Sequence, residues 1–280
     1  MYKIPTILFY NELLDKAFHK AGKISENPKT RNRLERKKKY VISIINTVTD
    51  ILDSTLGKYV SAFPSFNQLH KFEFELINIT IGIDKLRKSL GAIDWARNQV
   101  RNISSQIIKK VNGIKGEKEY SKLEQLRRMF YGRVSSVLEQ VATNLKFLNS
   151  SREYLKKLPQ IDPEITTIVV AGYPNVGKSL LVKRISSAKP KIATYPFTTK
   201  QLNLGHMLIN HRKIQIIDTP GLLDRSPQER NKIEKQAIMA IRYLADLIIF
   251  ILDPSEHCGY TIEEQQRLLE DVRILFKDVE

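Results

Sequence analysis

The sequence predicts an α plus α/β protein. An antiparallel helical bundle is expected over residues 1–157, a linker over 158–164, and over 165–280 a P-loop domain with a mostly parallel sheet flanked by helices. Three observations predict it. Apolar residues recur at steps of three and four through most of the first 157 residues, the spacing that lines one side of a helix. From Ile165 onward, short runs rich in β-branched residues alternate with amphipathic stretches, as in layered α/β folds. Gly172-x-x-x-x-Gly177-Lys178-Ser179 stands where the first such strand meets the first such helix, the setting that motif requires.

In chain order, residues 7–20 read as a short amphipathic segment and 22–30 as a polar linker. Arg31, Arg33, Arg36, Lys37, Lys38 and Lys39 then crowd together and run into Val41, Ile44, Ile45, Val48, Ile51, Leu52 and Leu56 at helical spacing. Positive charge opposes the dipole at a helix N-terminus, so the cluster is assigned to contact with RNA or an acidic partner. A solvated helix end is the alternative. Pro64 interrupts. A second helix is expected over 67–90, stopped by Gly91, and a third over 95–111, stopped by Asn112-Gly113. A fourth, over 121–157, carries the stripe Leu123, Leu126, Phe130, Val134, Val137, Val141, Leu145 and Leu148.

Past the linker, residues 165–170 read as a buried parallel strand and 180–187 as a helix. A loop is expected over 191–200, then a hairpin of strands 201–208 and 213–217, ending in Asp218-Thr-Pro-Gly221. A helix over 227–244, a fully buried strand over 247–252 and a helix over 261–276 complete the chain.

Composition narrows the function classes. No apolar run is long enough to span a bilayer, and the first ten residues lack a signal peptide's apolar core and cleavage site, so no membrane partner is expected. The single cysteine, Cys258, cannot form an internal disulfide and suits a reducing compartment, so the expected location is cytoplasmic. Residues 1–162 hold 30 Lys and Arg against 16 Asp and Glu, net +14; residues 163–280 hold 16 against 14, net +2. The basic excess therefore lies outside the P-loop part, which suits docking on a polyphosphate such as RNA.

The glycines of the loop let successive backbone N–H groups point into one anion-sized cavity, and the helix that follows adds its positive end. The cradle is assigned to Tyr173, Pro174, Asn175, Val176, Gly177, Lys178, Ser179 and Leu180. Lys178 would reach the β- and γ-phosphates, and the Ser179 hydroxyl would ligate Mg²⁺. Asp218 ends an apolar strand 40 residues after Lys178, where its carboxylate can hold Mg²⁺ through water. Gly221 offers an N–H to the γ-phosphate, and Thr198 and Thr199 lie in the loop between, where a threonine oxygen can complete the Mg²⁺ shell. Lys178, Thr199 and Gly221 are the residues expected to act on the transferred phosphate.

The runs Gly-Tyr-Pro-Asn-Val-Gly-Lys-Ser at 172–179, Tyr-Pro-Phe-Thr-Thr-Lys at 195–200, Asp-Thr-Pro-Gly at 218–221 and Asp-Pro-Ser-Glu-His-Cys-Gly-Tyr-Thr at 253–261 resemble the Obg-like GTPases. The last run and the basic helical half resemble the nucleolar GTP-binding (Nog) branch. The resemblance covers nearly the whole chain, most specifically residues 165–265, and points to an archaeal member of that branch. It implies GTP and GDP as ligands, slow hydrolysis, and a switch role in assembly of the large ribosomal subunit. It also implies a helical domain that contacts ribosomal RNA, assembly factors as partners, a monomer off the ribosome, and a nucleolar location in a eukaryote.

Two departures qualify this. Leu222 and Leu223 stand where many small GTPases place a water-orienting glutamine, so intrinsic hydrolysis is expected to be slow and to depend on a partner or ion. Asn175 is the residue type that ligates K⁺ in cation-dependent relatives; its alternative role is that of a turn residue. Second, no Asn/Thr-Lys-x-Asp base reader follows the 247–252 strand. Asn231-Lys-Ile-Glu234 is a near match inside a helix and is read as a decoy. The sheet is accordingly expected to be incomplete at its C-terminal side, and the chain to be part of a longer GTPase. A scaffold that binds RNA and keeps an inactive nucleotide site is the competing reading, and a P-loop ATPase a third.

Overall fold

The computed structural model describes residues 3–26, 32–116, 120–157, 161–187, 191–194, 201–219, 223–224, 232–277 and 279. Two compact units result: Tyr2–Pro64 with Asp84–Glu153, and Ser65–Ile83 with Tyr154–Glu280.

The first unit contains α1 (Tyr10–Gly22), α2 (Arg33–Ala62), most of α4 (Ile83–Gly113), α5 (Tyr120–Gln140) and most of α6 (Ala142–Lys157). The predicted stripe of α2 is its core face: Val41, Ile44, Ile45, Val48, Leu52 and Leu56 are all buried. The helix starts at Asn32, whose side chain accepts the Glu35 N–H at 3.0 Å. Its basic first turns differ from the expectation. Arg36 and Lys37 both pair with Glu26, and Lys38 is only 9% exposed and pairs with Glu35. Three of the four adjacent cations are therefore committed within the unit, and only Lys39 projects fully.

Helix limits also differ. The expected helices over 67–90 and 95–111 are instead α3 (Lys71–Thr80) and a continuous α4. The break falls at Ile81-Gly82, where Gly82 takes a left-handed φ of 86° and donates its N–H to Asn78 O at 3.0 Å, closing α3. Gly91 is exposed with open space around it, so α4 runs through it; a glycine costs a helix only about 1 kcal/mol. The expected helix over 121–157 breaks at Val141, yet Val137, Val141, Leu145 and Leu148 remain buried, so the stripe continues across the joint.

The second unit holds α3, β1 (Thr167–Ala171), α7 (Lys178–Ile185), β2 (Lys191–Thr194), β3 (Gln201–Ile209), β4 (Arg212–Asp218), α8 (Lys232–Arg242), β5 (Leu247–Phe250) and α9 (Ile262–Leu275). The strand order is β2-β3-β4-β1-β5. β1 is parallel to β4 and β5, while β2–β3 and β3–β4 are antiparallel, so the sheet is mixed. Residues 191–194 supply β2 where a loop was expected. β5 pairs only with β1 and is half-buried throughout, where full burial was expected; it is the edge of the described sheet.

Alternation along β1 serves two cores. Val169 and Ala171 face Phe72 and Leu76 of α3, Ile238 and Ile241 of α8, and Leu268, Val272 and Phe276 of α9. Ile168 and Val170 face Val182 of α7. Helix α3 thus belongs with the P-loop unit, although it lies within the expected 1–157 bundle.

In the helical unit, Asp53 of α2 accepts from Arg97 Nε at 2.7 Å and Arg101 Nη2 at 2.8 Å, both on α4. Burial acts to raise the Asp53 carboxyl, but hydrogen bonds and charge from the two arginines outweigh it and hold the group below the usual aspartate value. A lowered folded value means that the stabilisation is present above the unfolded pKa and is lost as pH falls through the folded one. Asp53→Asn is expected to cost about 0.5–1 kcal/mol at neutral pH. The gap from wild type should narrow below roughly pH 4. Thermal melts followed by fluorescence of Trp95, the single tryptophan, check both; a gap unchanged by acid would rule out the ion pairs as its cause.

Candidate functional site

The site forms where the C-terminal ends of β1, β4 and β5 meet the start of α7. Register sets it: Val170 lies beside Asp218, and Ala171 beside Phe250. The chain leaves β1 through Gly172, whose φ is 135°. A Cβ there would stand 2.7 Å from the Ile251 carbonyl oxygen, so β5 excludes any side chain at this position. Asn175 (φ 65°) and Gly177 (φ 97°) turn the loop back into α7. No side chain caps α7, which leaves its first N–H groups to the loop.

Lys178, expected to reach the phosphates, is instead turned into the loop. It is 6% exposed, and its Nζ donates to the Gly172 carbonyl at 2.8 Å and the Tyr173 carbonyl at 2.6 Å. Burial lowers its pKa, against the opposing charges of Asp224 and Asp218.

The Ser179 hydroxyl donates to Asp218 Oδ2, which also accepts from Asn203 Nδ2 at 2.9 Å. Asp218 is fully buried, and among the described residues its Oδ1 has no hydrogen-bond partner. An orphaned carboxylate oxygen beside a serine hydroxyl fits a hard cation with oxygen ligands, as Mg²⁺ is. Among the described residues no group of three or more His, Cys, Asp and Glu could hold a metal ion. The Ser179–Asp218 pair would need the oxygens of a phosphate to complete the shell.

Of the expected site residues, the structure brings together residues 173–180 and Asp218. Thr198, Thr199 and Gly221 lie outside the described residues. Leu223 is fully buried among the α3, α8 and α9 side chains, and its carbonyl accepts the Gly172 N–H at 3.3 Å. Glu234 of the decoy motif is buried in α8. Two contributors escaped the sequence reading. Asn203 sits directly across β3–β4 from Asp218, and an asparagine between two leucines of a strand was the available signal. Tyr260 stacks on Tyr173 with ring centroids 4.0 Å apart and planes at 26°; no sequence pattern pairs residues so far apart.

Comparison with known proteins agrees with this geometry. Residues 2–162 match the NOG1 N-terminal helical domain, and residues 167–277 match the 50S ribosome-binding GTPase family. An uncharacterised protein of Methanocaldococcus jannaschii is 41% identical over 98% of this chain and 77% of its own length. Nucleolar GTP-binding protein 1 of Drosophila melanogaster is 36% identical over 79% of this chain, and that of Arabidopsis thaliana 34% over 87%. This chain spans about a third of those two proteins, 33% and 36%. Among solved structures, a nucleolar GTP-binding protein 1 of Plasmodium falciparum is 43% identical over 42% of this chain and 59% of its own, with a TM-score of 0.39. With a helical-domain match over more than half its length and a GTPase-domain match over the rest, the chain belongs to the nucleolar GTP-binding protein 1 (NOG1) family.

Proposed function

We propose that this protein binds GTP and GDP with Mg²⁺ at the 172–180 loop, hydrolyses GTP slowly, and acts as a switch in assembly of the large ribosomal subunit. The observation that carries the reading is Asp218: a fully buried carboxylate with one oxygen on Ser179 and Asn203 and the other without a partner among the described residues. Ser179 and Asp218 would hold the ion, with a Thr199 oxygen joining when the γ-phosphate is present. When bound, Mg²⁺ neutralises charge on the β- and γ-phosphates. The loop N–H groups orient those phosphates, and Lys178 places an ammonium on them. Gly221 would report the γ-phosphate. Slow hydrolysis follows from Leu222 and from Leu223, whose side chain packs in the core. Asn175, exposed at its left-handed turn, is the candidate K⁺ ligand.

The helical unit would dock on ribosomal RNA. The net charge of +14 supports this, but the 36–39 cluster supports it less than expected, since Glu26 and Glu35 hold three of its cations. Residues 95–116 are a better surface: they contain no Asp or Glu. Trp95, Asn102, Ser105, Lys109, Lys110 and Lys115 are all exposed there, while Arg97 and Arg101 are held by Asp53. Asparagine and serine are poor helix formers, so their use on the solvent side of α4 points to hydrogen bonding with a ligand.

Lys178→Ala is expected to abolish measurable Mg²⁺-nucleotide binding and, by removing two loop hydrogen bonds, to cost about 1–2 kcal/mol of stability. Titration with fluorescent nucleotides measures the affinity and a thermal melt the stability; wild-type affinity in the Lys178 variant would refute the site.

For RNA, Lys109, Lys110 and Lys115 replaced together by Gln should flatten the dependence of log affinity on log salt by roughly one unit per lost phosphate contact. Gln at Arg36, Lys37, Lys38 and Lys39 should change the slope less. Filter binding of structured RNA at several salt concentrations decides between the surfaces. If both variants keep the wild-type slope, the scaffold and docking readings of the helical unit fail together.

A further inference from the structure

The connection from β5 to α9 takes eleven residues, 251–261, where βα connections commonly take about two to six. It is also tightly built. Asp253 Oδ1 accepts from the Ser255 N–H, and Oδ2 accepts from the Cys258 N–H at 2.8 Å. Gln265 reaches back from α9, fully buried: its Oε1 accepts from the Asp253 N–H at 2.7 Å, and its Nε2 donates to the carbonyls of Asp253 at 3.0 Å and Tyr260 at 2.9 Å. Glu256 (φ 57°) and Gly259 (φ 89°) adopt left-handed backbone to make the turn, and Thr261 with Glu264 caps the helix.

A turn that merely joined strand to helix would not need a buried glutamine bonded to both of its ends. Its product is the placement of Tyr260. The Tyr260 ring lies on the Tyr173 ring at 4.0 Å, and the Tyr173 carbonyl is the nearer of the two that hold Lys178 Nζ, at 2.6 Å. A short chain of contacts therefore runs from Gln265 through Tyr260 and Tyr173 to the lysine.

We propose that residues 253–265 brace the phosphate loop: Tyr260 is a positioning residue that, through its stack on Tyr173, fixes the carbonyl that aims the Lys178 ammonium. The proposal rests on the reading of 172–180 as a nucleotide site. It gives the 253–261 tract a role in nucleotide affinity.

The test uses the full chain with Tyr260→Phe, Tyr260→Ala, Tyr173→Ala and the double alanine variant. Two readouts are taken: affinity for fluorescent GDP and GTP with Mg²⁺, and amide hydrogen exchange of residues 172–177 without nucleotide. An aromatic pair of this kind is expected to contribute about threefold to tenfold. Tyr260→Ala should weaken both nucleotides by that factor and speed exchange at 172–177, with amides of α9 unchanged. Tyr260→Phe should restore both, because the ring, not the hydroxyl, makes the stack. The double variant should lose no more than either single one. Loop exchange and affinity as in wild type in Tyr260→Ala, or failure of Phe to restore them, would overturn the brace. Additive losses in the double variant would do the same. If the wild type bound no nucleotide, the site reading would fall, and the exchange comparison would still decide whether Tyr260 fixes the loop.

Discussion

The ammonium of Lys178 must sit almost without solvent against two carbonyls of the loop before it, and much of the P-loop unit follows from that. A buried cation needs its donors filled, and the loop can present the Gly172 and Tyr173 carbonyls only if it doubles back at once after β1. That bend puts Gly172 in contact with the Ile251 carbonyl, so the β1–β5 pairing fixes the loop's starting direction. The β1–β4 pairing brings Asp218 beside Val170, and the hydroxyl after Lys178 closes on that carboxylate. Three strand ends and one helix start are therefore tied together by polar contacts among a handful of residues.

Those contacts need a rigid platform, which the apolar faces of the sheet supply. One face of β1 is covered by α7 alone; the other collects α3, α8 and α9 around Phe72, Phe276 and the alternate residues of the strand. The chain sends α3 out of the helical half to fill that second face. Removing its large apolar side chains from this core would leave a cavity, at about 3–5 kcal/mol for a phenylalanine. Domain limits drawn from sequence order miss such an exchange because the stripe on α3 is indistinguishable from those of its neighbours; periodicity says that a face is buried, not against what.

The same limitation explains what was legible. The phosphate loop, the β3–β4 hairpin and the position of Asp218 could be read because each rests on local chemistry: glycine conformations, a turn, a charge ending an apolar run. The break at Gly82 and the continuity through Gly91 could not, since both glycines fall between helical stripes and only the first closes a helix with its own hydrogen bonds. Asn203 and Gln265 are polar residues whose partners lie 15 and 12 residues away, and nothing in their local sequence announces the pairing. The half-burial of β5 was missed because a run of Leu, Ile and Phe reads alike at the centre and at the edge of a sheet.

Charge in the helical unit shows how far composition can mislead. The most cationic stretch of the sequence loses much of its outward field to Glu26 and Glu35, and Lys38 runs along the core face that its neighbours build. Ion pairs at that depth of exposure contribute little to stability, yet they cancel charge at short range, and that range is what a phosphate backbone senses. A modest density of cations with no acid nearby presents a stronger field at its own surface than a dense cluster interleaved with carboxylates. On that physical ground Lys109, Lys110 and Lys115, exposed at the end of α4 and just beyond it in a run 95–116 without acids, are the stronger candidates compared with the arginine and lysine cluster of α2. Arg97 and Arg101, earlier on the same helix, are cancelled by Asp53 just as the α2 cluster is by Glu26 and Glu35.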